Sequence, residues 1–210
     1  HWWHPLAETG LRSRYSDDLL WLPFVVLHYI QETGDLSCLG EEIPFYDGGA
    51  ASLWEHCRRA FDVALGRRSE RGLPLILEGD WNDGLNATGS AGRGESVWMA
   101  HFLYYLLTRW AALPIDEATR TRFGDEAAVL RAATEQYAWD GSWYWRATTD
   151  DGRQLGAAAR EEGRIFLNAQ TWATLSGLAA PERARQAMDA ARQHLYTDYG
   201  ALLLAPSYSV

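Results

Sequence analysis

Glu95 to Leu113 restricts the fold more than any other stretch of this chain. Its apolar side chains fall on nearly every face of a helix, and a helix that is apolar all round belongs in a core, not on a surface. Hydrophobic residues make up 47% of the 210, enough for a sizeable core in one large domain or two small ones.

The rest of the chain also reads as helices and loops. His1 to Tyr15 has no clean period and reads as loop. Ser16 is placed to cap a helix that carries Asp17 and Asp18 in its first turn, where negative charge is favoured. That helix buries Leu19 to Tyr29, has Pro23 near its start or at a kink, and ends at Gly34. A second helix is predicted over 51–65, with residues 44–49 as loop before it. A short apolar run over 73–77 follows, and residues 84–94 are rich in Gly, Ser and Asn, as a loop is. Residues 116–137 suggest one or two helices interrupted near Gly124. Trp143 to Ala147 is expected to form a hairpin with Arg164 to Leu167. A helix pair follows over 169–178 and 181–196, with Pro181 at its favoured first position, and residues 201–205 form an extended tail. Successive helix pairs with polar loops suggest an α/α toroid or a helical array.

Composition removes several function classes. The net charge is -9, whereas a nucleic-acid partner needs a basic face to neutralise phosphates. All 19 basic residues are arginine, so Schiff-base chemistry and a P-loop lysine are excluded. Cys38 and Cys57 are too few for a disulfide framework and suggest a reducing, cytoplasmic setting. The longest apolar run, near Leu19 to Ile30, falls short of a membrane span. The start at His1-Trp2-Trp3-His4-Pro5, without methionine, reads as a piece of a longer protein. His1 and His4 are poorly spaced for a metal, and none is expected.

The 11 Trp and 10 Tyr suit a core of large aromatics. They also suit a carbohydrate cleft, where rings stack on sugars and polar tips hydrogen-bond. Glu78-Gly79-Asp80-Trp81-Asn82-Asp83-Gly84-Leu85-Asn86 carries the chemistry such a cleft needs. An indole offers a flat face to a pyranose, and a carboxylic acid can protonate a glycosidic oxygen if an apolar wall or a neighbouring charge keeps it protonated. Trp81 can be the wall and Asp80 the charge. From composition alone either aspartate can be the acid, and the same residues suit a turn or a calcium loop, although not with EF-hand spacing. Arg12-Ser13-Arg14-Tyr15-Ser16-Asp17-Asp18 suits a clamp for sugar hydroxyls or phosphate, or equally a capped helix with a surface ion pair. Glu95 can orient site loops or simply begin the long helix. Gln170-Thr171-Trp172 reads as packing.

Taken together, four ordered motifs resemble glycoside hydrolase family 94. They are Gly79 to Gly84, Arg12 to Pro23, Gly92 to Trp98, and Gln170 to Ala173. The family includes cellobiose and chitobiose phosphorylases and the phosphorylase-like domain of cyclic β-1,2-glucan synthase, and His1 to Pro5 is most similar to the last branch. The resemblance implies an all-α (α/α)6 barrel catalytic domain spanning residues 1–210, incomplete, with a minor β-hairpin. It also implies inverting phosphorolysis of a β-linked gluco-oligosaccharide, with inorganic phosphate as co-substrate and no cofactor. The general acid falls on Asp83. Trp81, Arg12 and Asp18 fall on residues that meet the sugar next to the cleaved bond, with Asp80, Asn82 and Asp17 in support. The family's phosphate-binding histidine falls beyond Val210. A homodimer, contacts with further segments of the parent protein, and membrane tethering of a synthase-type parent are consistent with this reading. Its rivals are an inverting hydrolase of a related toroid and a non-catalytic carbohydrate-binding or helical interaction module.

Overall fold

A computed structural model describes residues 2–11 and 13–209. The order opens with β1 (Trp2–His4), β2 (Thr9–Leu11), a 3-10 turn (Asp18–Leu20) and α1 (Trp21–Thr33). It continues with β3 (Glu42–Pro44), β4 (Ala50–Ser52), α2 (Leu53–Gly66), a 3-10 turn (Asp83–Leu85), α3 (Val97–Ala111) and α4 (Glu117–Tyr137). It closes with β5 (Ala147–Thr148), β6 (Gln154–Leu155), β7 (Ile165–Phe166), α5 (Leu167–Ser176), α6 (Pro181–Leu195), β8 (Tyr196–Thr197), β9 (Gly200–Ala201) and β10 (Leu204–Ala205). The result is mostly helical, with two-stranded antiparallel pieces at its margins.

The helix α3 occupies the centre, as its all-round apolar sequence requires. Trp98, Phe102, Leu103, Leu106, Leu107 and Trp110 are all buried. The helices α4 and α5 pack along it, α1 packs against it as well, and α6 packs on α5. Aromatic contacts join the layers: Trp54 of α2 stacks on Trp110 at 5.3 Å, and Phe61 meets Phe123 of α4 at 4.7 Å between centroids. These separations are those of favourable ring pairs. Side-chain caps start three of the helices. Ser52, Ser96 and Asp116 accept the backbone N–H groups of Glu55, Met99 and Thr119, each satisfying one orphan donor. Gly34 and Gly177 end α1 and α5 in the left-handed conformation, and Pro181 occupies the first turn of α6.

Several local expectations are corrected. Ser16 does not cap α1; it is buried, and its backbone N–H and hydroxyl both donate to the Gly79 carbonyl. The 3-10 turn therefore intervenes before α1, and Pro23 sits in the first turn, where a missing N–H costs nothing. Residues 116–137 hold one unbroken helix, because Gly124 is exposed while Phe123, Ala127 and Leu130 are anchored in the core. The segment read as loop before Tyr15 contains the β1–β2 hairpin, and β3–β4 flanks the loop over 45–49. The expected pairing of Trp143–Ala147 with Arg164–Leu167 does not form. Instead β5 pairs with β6, and β7 pairs with β10 from the tail.

Candidate active site

The acidic loop and the segment before α1 are brought together by backbone pairing. Tyr15 bridges Leu77, Glu78 N–H donates to the Arg14 carbonyl, and Ser16 N–H donates to the Gly79 carbonyl at 2.9 Å. Gly79 permits the approach. Its φ is +151°, and a Cβ there would stand 3.2 Å from two carbons of the Tyr15 ring. Tyr15, Asp17, Asp18, Trp21, Asp80, Trp81 and Asp83 then line one open cleft of about 490 Å³. Two sequence segments separated by nearly sixty residues, each a candidate from its composition, thus share a single site.

Asp83 opens the 3-10 turn and is exposed to the cleft. Asn82 caps that turn: its side-chain oxygen accepts the Gly84 N–H at 3.1 Å. Asp80 is fully buried beneath it and accepts the Asn82 backbone N–H at 3.1 Å. The charge that the sequence reading placed on Asp80 is ion-paired to Arg146, also fully buried. Ser96 completes the arrangement by donating from its hydroxyl to Asp80 Oδ2 at 2.6 Å while its oxygen caps α3. Reading the sequence did not find Arg146. The signal was there, as one charged residue directly after the aromatic run Trp143-Tyr144-Trp145, where burial demands a carboxylate partner.

Trp81 is half-exposed, and its ring lies 6.3 Å from that of buried Trp98. Trp98 is stacked in turn on Phe102 and meets Trp172 edge-on, so the exposed indole is backed by a rigid aromatic column. Trp172 does pack, as its motif suggested, and Gln170 bonds the backbone of Tyr144 and Phe166.

Asp17 is buried, and its pKa is pushed up to about 6, mainly by burial and further by the charge of Asp80, against a lowering hydrogen bond from Trp21. Asp18 receives the Ser13 hydroxyl. The Tyr15 phenol is raised, first by burial and then by Asp83, Asp18 and Asp17. Arg12 lies outside the described residues. Glu95 is buried and holds Arg71 through two hydrogen bonds away from this cleft. The imidazole Nδ1 of His4 accepts the Ala7 N–H, and His1 lies outside the described residues. Among the described residues, no cluster of three or more metal-type ligands occurs, and no helix is long and apolar enough to cross a membrane.

The fold is similar to that of a rhamnosidase from Klebsiella oxytoca solved with rhamnose bound, with a TM-score of 0.62 at 18% identity over 88% of this chain and 32% of that one. This likeness defines the class by fold alone, as a mostly helical domain. The chain belongs to the glycosyl hydrolase 94 superfamily, whose catalytic-domain model matches residues 4–210. A solabiose phosphorylase from Paenibacillus borealis is 41% identical over 93% of the chain, and an N,N'-diacetylchitobiose phosphorylase from Vibrio proteolyticus is 40% identical over 95%. The cyclic β-(1,2)-glucan synthase NdvB of Rhizobium meliloti is 40% identical over 93%. The chain spans about a quarter of the length of the two phosphorylases and 8% of the synthase.

Proposed function

We propose that this domain carries the sugar site and proton donor of an inverting phosphorylase acting on β-linked glucosides, within a partial (α/α)6 barrel. The observation that supports this most is the shared cleft of Trp81, Asp83, Asp18 and Tyr15. Trp81 stacks on the sugar ring at the cleaved bond, and Asp18 and Arg12 take its hydroxyls. Asp83 donates its proton to the glycosidic oxygen as a phosphate oxygen attacks the anomeric carbon from the opposite face. The C–O bond to the leaving sugar breaks, that sugar departs as an alcohol, and the product is an α-sugar 1-phosphate. The proton that hydrogen phosphate brings returns to Asp83 through solvent, so charge and atoms balance. Phosphate is already a competent nucleophile, and no strong base is required. The phosphorylase names of relatives about 40% identical favour this chemistry.

One observation favours a second reading. Asp17 and Asp83 face the same cleft, and two acids across a sugar suit an inverting hydrolase that activates water. Product analysis of the full-length protein with β-linked disaccharides, with and without phosphate, separates the two. Sugar 1-phosphate formed only when phosphate is present is the expected result. Free sugar released equally without phosphate would mean a hydrolase, and no turnover of any β-glucoside would leave a binding module.

A further inference from the structure

The mechanism above leaves one fully buried cation without a role. Arg146 is completely inaccessible, and its contacts lead to the loop that carries Trp81 and Asp83. One guanidinium nitrogen donates to Asp80 Oδ1 and the other to Ser96 Oγ at 3.3 Å. Its Cζ stands 5.9 Å from the ring of Trp98, the indole that backs Trp81. The backbone around it is fixed. Arg146 N–H donates to the Leu155 carbonyl, and Val97 N–H donates to the Arg146 carbonyl. Gly156 approaches so closely that a Cβ there would stand 2.7 Å from Arg146 N.

A buried ion pair is a poor way to stabilise a fold. Desolvating two charges offsets most of their attraction, and apolar replacements of equal volume are often as stable. This pair is not even saturated, because Arg146 Nε is buried with no partner among the described residues. What the pair does provide is a fixed location for Asp80. From Asp80 a short relay leads outward. Asp80 Oδ1 accepts the Asn82 N–H, the Asn82 side chain accepts the Gly84 N–H, and Asp83 stands between them. Both links are short-range bonds that fix the turn on which Asp83 is carried.

We propose that Arg146 is a positioning residue for Asp83, acting through Asp80 and Asn82. The proposal rests on the reading of Asp83 as proton donor. Arg146 touches neither sugar nor phosphate in it. A carboxylic acid displaced by even a fraction of an ångström transfers its proton poorly, and sites held loosely lose rate rather than binding.

A leaving-group comparison in the full-length protein tests this. A disaccharide must have its departing oxygen protonated, whereas β-glucosyl fluoride has a leaving group that departs with little help. Arg146→Lys keeps the charge, but one ammonium cannot reproduce the fork that spans Asp80 and Ser96. Asp80→Asn keeps the shape without the charge and serves if Arg146→Lys fails to fold. Phosphorolysis of both substrates is measured for wild type, Arg146→Lys, Asp80→Asn and Asp83→Asn. Proton transfer by a placed group contributes roughly 10²–10⁴-fold, so Asp83→Asn is expected to lose on that order with the disaccharide and far less with the fluoride. Arg146→Lys is expected to show the same selectivity, with kcat for the disaccharide falling at least about tenfold more than for the fluoride and KM changing little. A folded Arg146→Lys that slows both substrates equally, or neither, overturns the positioning role while a selective Asp83→Asn leaves the proton donor standing. An unselective Asp83→Asn overturns both.

Discussion

Trp21 donates its indole N–H to Asp17 Oδ2 at 2.8 Å, while the other carboxylate oxygen of Asp17 is buried with no partner among the described residues. Only one of the two Asp17 oxygens is therefore hydrogen-bonded by the protein. With Asp80 adding like charge nearby, its pKa rises to about 6 from an ordinary 3.8.

The sign of the consequence follows from proton linkage. A carboxyl with a raised folded-state pKa holds a proton in the folded chain that the unfolded chain has already released. Its contribution to stability is therefore complete below about pH 4 and is lost as pH rises through about 6. Asp17→Asn keeps an acceptor for Trp21 and removes the titration. Relative to wild type the variant is expected to be no better at pH 4 but more stable at pH 8, by an amount on the order of 2–3 kcal/mol. Thermal melts of both proteins across that range check it. A constant difference between them at all pH values would refute the assignment.

His101 makes the opposite prediction. It lies on α3, fully buried, with both ring nitrogens lacking a partner among the described residues, and it meets Tyr144 edge-on at 5.1 Å. Burial pushes its pKa down to about 3. Here the unfolded chain takes up the proton first, so stability is present above about pH 6.5 and falls as pH drops toward 3. His101→Leu leaves no unpaired polar atom behind and is expected to shift acid unfolding to lower pH. Circular dichroism against pH at constant salt measures the midpoint, and an unchanged midpoint would count against it.

Much of this was legible in the sequence where one physical demand dominated. The all-round apolar pattern put α3 at the centre, and Gly34 and Pro181 marked helix ends that they do mark. Residue types marked the acidic loop and the segment before α1, the family resemblance singled out Asp83, Trp81 and Asp18 within them, and one cleft gathers all three. What escaped depended on distant partners. Ile165 and Phe166 pair with Leu204 and Ala205 across nearly forty residues, and strands of two residues carry no period to read. Ser16 has the chemistry of a cap, yet both its donors go to Gly79, because holding the acidic loop competes with starting a helix. Arg146 escaped because its carboxylate lies 66 residues away.

Trp81 and Trp98 are neighbours with different work, and substitution separates them. Trp98 is buried at the heart of the aromatic column, so Trp98→Ala leaves a large cavity and is expected to cost about 3–5 kcal/mol. Trp81 is half-exposed and leans on that column from outside. Trp81→Ala is expected to cost about 1 kcal/mol or less in stability and to weaken sugar binding by about tenfold or more, since covering an indole face with a sugar removes apolar area from water at about 25 cal/mol per Å². Chemical denaturation paired with calorimetric titration of a β-glucoside into the full-length protein reads both quantities. Equal stability losses would show that Trp81 is packing, not platform.

Gly79 joins the two halves of the site at a point where no side chain fits. With φ at +151° and Tyr15 carbons 3.2 Å from a Cβ that is not there, Gly79→Ala must twist the backbone or push the phenol aside. Either response moves the segment carrying Asp17 and Asp18 away from the loop carrying Asp83, because the Ser16 N–H to Gly79 carbonyl bond lies at the same junction. The expected stability loss is about 1–3 kcal/mol, typical of a residue forced into a disfavoured conformation. Turnover should fall more than that loss explains, since the substituted enzyme remains mostly folded with its cleft misaligned. Tyr15→Ala in the same background clears the contact and should recover part of the stability, without restoring turnover if the phenol also lines the sugar site. Denaturation curves and steady-state rates on the single and double variants test this, and strictly additive effects on stability would mean that the two residues do not press on one another.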